Sequence, residues 1–136
     1  MKYKLNETNI DAVCEKADEY LVKRKAEPKD RIRTKLSIEE VLLNYMSIFG
    51  RDAEFDVDFG GGLSRNKIRL KVPGISLDPF DVSGTGSDED QFMMNVLTRM
   101  GQRPKWKYVR GTNIILFTSV TKSAPDWEKL LIAIIA

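Results

Sequence analysis

Two residues of a predicted helix, Glu40 and Asn44, have side chains that can act together on a phosphate ester. They lie four positions apart, so both point from the same side of a helix. A carboxylate can accept a proton or order a water molecule. An amide oxygen can ligate a Mg²⁺ ion that also bridges phosphates. Arg33, Ser37 and Ser47 fall on the same narrow stripe, at 100° per residue.

The same helix carries a second polar strip, formed by Lys35 and Glu39, on roughly the opposite side. A helix on the surface of a protein needs only one side that faces solvent. Two polar strips separated by apolar residues therefore indicate that one of them lines a cleft. The alternative is that both strips are solvent-exposed edges of a helix that lies on a sheet, and the sequence does not separate these explanations.

The composition excludes several kinds of chemistry. The chain has 136 residues, a length typical of one domain, and 42% of them are hydrophobic. It contains no histidine and one cysteine, Cys14, which excludes catalytic triads with histidine, histidine-ligated zinc and thiolate clusters. The formal net charge of +2 argues against a specific nucleic-acid binder. An unpaired cysteine and the lack of an apolar leader sequence favour the cytoplasm.

The periodicity of apolar residues predicts a two-layer α+β sandwich, with helices on one face of a mainly antiparallel sheet and the order βααββαββ. A helix begins after Asn6 or Thr8, and Gly50 ends the next one. The predicted elements are a strand at 1–5, a first helix, a second helix at 28–50, a hairpin with strands 54–59 and 67–72, a helix at 88–100, and strands 106–109 and 113–120 that turn at Arg110 and Gly111.

This order of elements resembles the ATP-binding domain of the GHKL type, which histidine kinases, gyrase and Hsp90-type chaperones share. The greatest similarity is to the short form found in anti-sigma serine kinases. Residues 31–44 look like the N box of that family. The resemblance implies that Glu40 is the catalytic base or orients the water, and that Asn44 is the Mg²⁺ ligand.

The glycines that follow extend the resemblance. Residues 68–80 fall where the family has its first glycine box, so the resemblance implies that Gly74 and Asp78 contact a nucleotide. Residues 83–87 fall where the second box should be. A backbone nest there would bind phosphate ahead of a helix N-terminus. The residues implied at this second box are Gly84, Thr85 and Gly86.

The sequence also departs from the family pattern. Val72 or Pro73 stands where the family has an aspartate that binds the adenine amino group, and Gly74 is the only glycine left of the pair. The three acidic residues at 88–90 stabilise the start of the next helix and repel a triphosphate. We therefore expect an eroded nucleotide site rather than an enzyme, with ATP and Mg²⁺ as its only candidate cofactors.

The C-terminal tail, residues 124–136, is a separate feature from the domain at 1–123. Its last seven residues are all apolar. One interpretation is a terminal helix that packs on the domain. The other is the start of a transmembrane helix, with Trp127 and Lys129 at the membrane interface. The second interpretation resembles bacterial sodium:dicarboxylate symporters in which a short ATPase-like domain precedes the transmembrane part.

These observations predict a cytoplasmic regulatory domain with an eroded nucleotide site, located at the inner face of the membrane as part of such a transporter. The expected partners are the transmembrane portion of the same chain or another protein, and a nucleotide. The basic cluster at 23–35 is explained by solvated helix ends or by attraction to anionic lipid. Two alternatives stay open: a serine/threonine kinase of the anti-sigma type that uses ATP and Mg²⁺, and a free-standing protein-interaction module.

Overall fold

A computed structural model describes residues 2–80 and 104–120 of the chain. Within these ranges the predicted α+β class is confirmed: two helices accompany a five-stranded antiparallel sheet. The predicted helix at 88–100, the second glycine box with Gly84, Thr85 and Gly86, and the tail at 124–136 lie outside the described residues. The elements are β1 (Lys2–Lys4), α1 (Glu7–Lys23), α2 (Pro28–Phe49), β2 (Glu54–Gly60), β3 (Arg65–Pro73), β4 (Lys105–Val109) and β5 (Thr112–Val120).

Local signals set the ends of both helices. Asn6 precedes α1, and its Oδ1 accepts a hydrogen bond from the backbone N–H of Asn9 at 2.9 Å. Proline at the first position of α2 has no N–H to satisfy, so Pro28 begins that helix at no cost. Gly50 ends α2 with a φ of 88°, a conformation that glycine adopts readily.

The five strands pair in the order β1-β2-β3-β5-β4, and every neighbouring pair is antiparallel. The β2–β3 and β4–β5 pairs are the two predicted hairpins. Arg110 and Gly111 form the turn between β4 and β5, with φ angles of 50° and 76°. Positive φ at both central residues is typical of a type I′ turn, the connection that matches the twist of two paired strands.

Both helices pack on one face of the sheet and close the hydrophobic core there. The core takes alternate residues of each strand, as the alternating burial of β3 and β5 shows. The largest side chains that are fully buried are Tyr45, Phe55, Leu5, Ile10, Leu21, Ile38, Leu42, Ile68, Leu70 and Ile115. No helix covers the opposite face within the described residues.

The basic cluster at 23–35 is partly paired within the domain. Arg31 donates two hydrogen bonds of 3.0 Å each to the Asp18 carboxylate, which ties α2 to α1. Lys35 reaches Glu15 at 2.6 Å and adds a second link between the helices. These contacts pair two residues of the cluster, whereas Lys23, Lys25 and Lys29 are exposed, so both explanations of the cluster stay predictions.

Within the described residues, neither helix is apolar over a long enough stretch to cross a membrane.

Candidate functional site

Asn113, at the start of β5, organises the loop that follows β3. Its side chain is fully buried, and its amide nitrogen donates to the carbonyls of Val72 at 3.1 Å and Ile75 at 2.9 Å. Its amide oxygen accepts from the backbone N–H of Leu77 at 2.9 Å and from the indole of Trp106 at 3.1 Å. Two donors and two acceptor sites are all that an asparagine amide offers, so this side chain is fully satisfied.

Further contacts hold the loop at residues 74–80 against the sheet. The backbone N–H of Gly74 donates to the carbonyl of Gly111 at 3.0 Å, and the Tyr108 hydroxyl donates to the Gly74 carbonyl at 2.7 Å. Gly74 has a φ of 143°, and a β-carbon there would lie 3.1 Å from the ring of Phe49. The glycine therefore lets the loop approach α2 closely.

Two side chains of α2 reach the same loop from the other side. The hydroxyl of Tyr45 donates to the carbonyl of Leu77 at 2.7 Å, and burial raises the pKa of this phenol. Asn44, one residue earlier, donates from Nδ2 to the carbonyl of Pro79 at 3.3 Å. The amide nitrogen of Asn44 is thus directed to the loop, and no residue in the described ranges donates a hydrogen bond to its Oδ1.

The rest of the polar stripe on α2 is shielded to different degrees. Glu40 is half-buried one turn before Asn44, and Ser47 is exposed one turn after it. Ser37 is 4% exposed, and its hydroxyl has no hydrogen-bond partner within the described part of the chain. A stripe that goes from exposed to buried along one helix is not a simple solvent edge.

A cleft of about 470 Å³ opens between the end of the loop and β4. Asp78 and Phe80 line it from the loop, and Lys105 and Trp106 line it from the strand, with Pro104 between them. The Asp78 carboxylate accepts the backbone N–H of Phe80 at 2.9 Å, which fixes its position. The cleft therefore combines flat aromatic surface, one fixed carboxylate and one lysine.

This combination suits part of a nucleotide. The carboxylate of Asp78 can accept hydrogen bonds from an amino group on a ring, aromatic side chains can cover the faces of the ring, and Lys105 can bind an anionic group. Magnesium ions keep several waters and take one or two protein ligands beside substrate phosphates. Asn44, as a single protein ligand, meets that requirement. No group of three or more acidic or cysteine side chains gathers at one point in residues 2–80 and 104–120.

The placement of the predicted site residues is therefore mixed. The structure brings Asn44 and Gly74 to the loop and places Asp78 in the cleft, while Glu40 lies one turn away on α2. Gly84, Thr85 and Gly86 fall outside the described ranges. Cys14 is buried on α1, and desolvation raises the pKa of its thiol to about 12, which makes it unreactive.

Sequence reasoning missed Asn113, which does most to fix the loop. A signal was present: Asn113 occupies an inward position of a strand that continues Ile114, Ile115, Leu116 and Phe117. An amide at an inward position of an apolar strand must find hydrogen-bond partners in the core. Those partners come from a distant loop, and that pairing is not visible in the sequence.

Comparison with known proteins gives no independent assignment. No protein-family model matches the chain. No curated protein matches it in sequence.

Proposed function

We propose that the chain is a regulatory domain that binds an adenine nucleotide in the cleft lined by Asp78 and Trp106 without hydrolysing it. We further propose that it acts in the cytoplasm at the inner face of a membrane, as part of a transporter of the sodium:dicarboxylate symporter type. The first part is supported by the geometry of the loop, and the second by the resemblance and by the apolar run at 130–136.

The observation that carries the proposal is the contact between Asn44 and the carbonyl of Pro79. This contact puts a metal-ligating amide of α2 next to the loop that forms one wall of the cleft. The apolar and aromatic lining suits a base, and an amide oxygen such as the Oδ1 of Asn44 suits a magnesium ion held by phosphates.

The loop is held unequally on its two sides, which suggests how binding could be read out. Toward the sheet it is fixed by Asn113, Tyr108 and the backbone of Gly111. Toward α2 the described contacts are one bond from Tyr45 and one of 3.3 Å from Asn44. A ligand that takes over the Asn44 amide would favour a different position of α2 against the loop. Such a shift requires that the ligand bind the two positions with different affinity.

Two features of the sequence favour nucleotide binding without hydrolysis. Val72 or Pro73 replaces the family's adenine-binding aspartate, and the acidic residues at 88–90 disfavour a triphosphate near them. Asp78 supplies a carboxylate from further along the loop, which can hold a ring without reproducing the family's arrangement of phosphates. A site that binds and does not hydrolyse is suited to sensing.

Isothermal titration calorimetry with Mg-ATP and Mg-ADP tests the proposal. Asn44→Ala should weaken binding by about tenfold, the value of one hydrogen bond or ligand contact. Asn9→Ala is the matched control, because Asn9 also donates through its amide to a backbone carbonyl, that of Lys4 at 2.8 Å, but on the exposed N-terminal side. The control should bind as the wild type does.

Phosphate release should be measured on the same samples. The proposal expects none above the uncatalysed rate, and no change in Glu40→Gln. A failure of both nucleotides to bind would refute the proposal. Steady phosphate release that is lost in Glu40→Gln would instead identify an enzyme of the kinase or ATPase class.

A further inference from the structure

The face of the sheet opposite the helices is strongly basic. Its outward positions carry three acidic side chains, Glu54, Asp56 and Asp58, and eight basic ones, Lys2, Lys4, Arg65, Lys67, Arg69, Lys71, Lys105 and Lys107. The whole chain has 22 basic and 20 acidic residues. The face thus has an excess of five positive charges, whereas the remaining 14 basic and 17 acidic residues have an excess of three negative ones.

Six of the eight cations on this face form two rows, on β3 and β4, with an apolar strip between them. In the strand register Arg69 of β3 pairs with Leu116 of β5, which pairs with Lys105 of β4. Two residues along, Lys71 pairs with Ile114, which pairs with Lys107. Neighbouring strands lie about 4.8 Å apart, so the two rows of cations stand about 10 Å from each other.

Most of these cations have no acidic partner. Lys71 lies 3.2 Å from Asp58, and Lys4 lies 3.8 Å from Glu54. The others form no ion pair with any residue in the described ranges, and they are exposed: Lys2, Arg65, Lys67, Arg69, Lys105 and Lys107. An unpaired row of like charges costs self-repulsion, which an acidic ligand would relieve.

A groove of about 290 Å³ adds a concave feature to this face. Lys67, Arg69 and Leu116 line it together with Asp58, Phe59 and the glycines at 60 and 61. Its glycine wall is tied to the helix layer, because the Tyr20 hydroxyl of α1 hydrogen-bonds the Gly60 carbonyl. A ligand in the groove would therefore touch backbone that is directly bonded to α1.

The residue types on this face favour a protein partner over a single-stranded nucleic acid or a membrane. Single-stranded nucleic acids bind where aromatic side chains stack on bases, and peripheral membrane proteins use aromatic anchors at the lipid interface. None of the outward positions on the five described strands holds an aromatic residue, although Phe59 lines the groove from an inward position. A concave groove receives a protruding side chain, which a protein partner has and a lipid surface lacks.

The dimensions also fit a protein partner. The five described strands have 33 residues in total and cover about 500 Å², within the ~600 Å² per partner that is typical of a weak or transient interface. A helix is about 10–12 Å wide, so it would lie on the apolar strip with the two cation rows along its sides. A helix about 20 residues long would cover the strip.

We propose that the face of the sheet opposite α1 and α2 is a docking surface for an acidic amphipathic helix of a partner protein. The apolar side of that helix contacts Ile114 and Leu116, and its flanking carboxylates pair with the lysines and arginine of β3 and β4. This surface is on the opposite side of the sheet from the helices, and the inference stands whether or not the cleft binds a nucleotide.

The test uses a synthetic helical peptide of 18 residues, with Leu at heptad positions a and d, Glu at e and g, and Ala or Gln elsewhere. Binding to the full chain is measured by fluorescence anisotropy at two salt concentrations. We expect saturable binding that weakens with salt. The same peptide with Lys at e and g should not bind.

Two triple variants with the same loss of charge locate the binding. Lys67→Gln, Lys105→Gln and Lys107→Gln together should weaken binding by about tenfold or more, as three rim charges would. The matched control replaces three exposed lysines on the helix side, Lys23, Lys25 and Lys29, by glutamine. It should leave the affinity for the peptide unchanged. Arginine in place of the three sheet lysines should restore it.

Three results would overturn the proposal. They are no binding of the acidic peptide, equal weakening of peptide binding by both triple variants, or binding of another macromolecule through the same sheet lysines that is tighter than binding of the peptide. The last is tested with vesicles of phosphatidylcholine and phosphatidylglycerol and with a 20-nucleotide oligothymidylate. Nucleotide titration of a variant with only Lys67→Gln and Lys107→Gln separates this surface from the cleft, because Lys105 lines the cleft and the other two lysines do not.

Discussion

Single buried side chains decide the shape of the loop beside the cleft. Asn113 uses every hydrogen-bonding position of its amide and joins three segments: the end of β3, the loop that follows it, and β4. A buried polar group with all its bonds made stabilises one conformation, because any other leaves some of those bonds unmade. The loop geometry on which the proposed function rests therefore depends largely on this one residue.

Replacing Asn113 by leucine tests that dependence. The substitution removes the acceptor of the Leu77 N–H and of the Trp106 indole, and it removes the side-chain donor to the carbonyls of Val72 and Ile75. We expect the free energy of unfolding in urea to fall by about 3 kcal/mol. Asn9→Ala, which removes an exposed amide, should cost less than about 1 kcal/mol. Equal losses in the two variants would contradict the role assigned to Asn113.

At this scale the sequence allowed some contacts to be predicted. The spacing of Glu40 and Asn44 placed them on one stripe, and the structure has Asn44 against the loop. The partner atom, the carbonyl of Pro79, could not be predicted. Pro79 follows Asn44 by 35 positions in the sequence, and the contact depends on how the loop folds back onto α2. Every residue has a backbone carbonyl, so the sequence does not show which carbonyl accepts a hydrogen bond from a given side chain.

At the scale of elements, α1 and α2 are joined by ion pairs near their adjoining ends. The guanidinium of Arg31 hydrogen-bonds both oxygens of Asp18, and this contact lowers the pKa of the carboxyl below its usual 3.8. A lowered pKa in the folded state contributes stability that is fully present above pH 3.8. That stability is lost as the pH falls through the lower, folded-state value.

Asp18→Asn should therefore destabilise the domain in a pH-dependent way. At pH 7 we expect a loss of about 0.5 kcal/mol, since solvent screens a pair on the surface. Below the folded-state pKa the difference from the wild type should vanish. Glu19→Gln is the control, a neighbouring exposed carboxylate of the same helix. Urea titrations at pH 7 and at a series of decreasing pH values below 3.8 measure both effects, and a loss independent of pH would contradict the ion pair as its cause.

The β2–β3 hairpin depends on a glycine for steric reasons. A β-carbon at Gly61 would lie 2.1 Å from the carbonyl oxygen of Arg65, a backbone atom that cannot move aside freely, while one at Gly62 would meet open space. We expect Gly61→Ala to cost at least about 2 kcal/mol, through displacement of the turn, and Gly62→Ala to cost less than about 1 kcal/mol. Thermal unfolding followed by circular dichroism compares them, and equal melting temperatures would show that the turn tolerates a side chain.

The elements themselves were largely readable from the sequence. Strict alternation predicted the strands, and a proline and a glycine marked the limits of α2 at Pro28 and Gly50. The order of strands was not predicted, because β5 enters the sheet between β3 and β4. Inserting a strand beside a distant one depends on contacts between segments about 45 residues apart, such as Leu70 with Ile115, and periodicity within a segment does not report them.

On the scale of the whole molecule, the sheet separates two surfaces of different character. One face carries the helices and the loop, and the other carries rows of cations with no helix over it among residues 2–80 and 104–120. Contacts at the end of α1 connect them: Arg24 donates from Nε to the Oδ1 of Asn66 at 2.8 Å and also hydrogen-bonds the Gly62 carbonyl. The helix layer is thus bonded to the same glycine turn that borders the groove on the open face.

That link is what a regulatory domain requires, namely a physical connection between a ligand site and a docking surface. A shift of α2 against the loop would be transmitted to α1 through the Arg31–Asp18 pair and from α1 to the hairpin turn. Coupling of this kind is a free energy shared by two sites, so each ligand must change the affinity of the other by the same factor.

The central claim, that the cleft beside Asn44 and the loop binds an adenine nucleotide, is tested most directly by nuclear magnetic resonance. Mg-ADP is titrated into ¹⁵N-labelled protein, and amide and indole shifts are followed. We expect saturable chemical-shift changes at the Asn44 side-chain amide, the backbone amide of Asp78 and the indole of Trp106, and no change at Asn9. Shifts confined to other parts of the chain, or none at millimolar nucleotide, would contradict it.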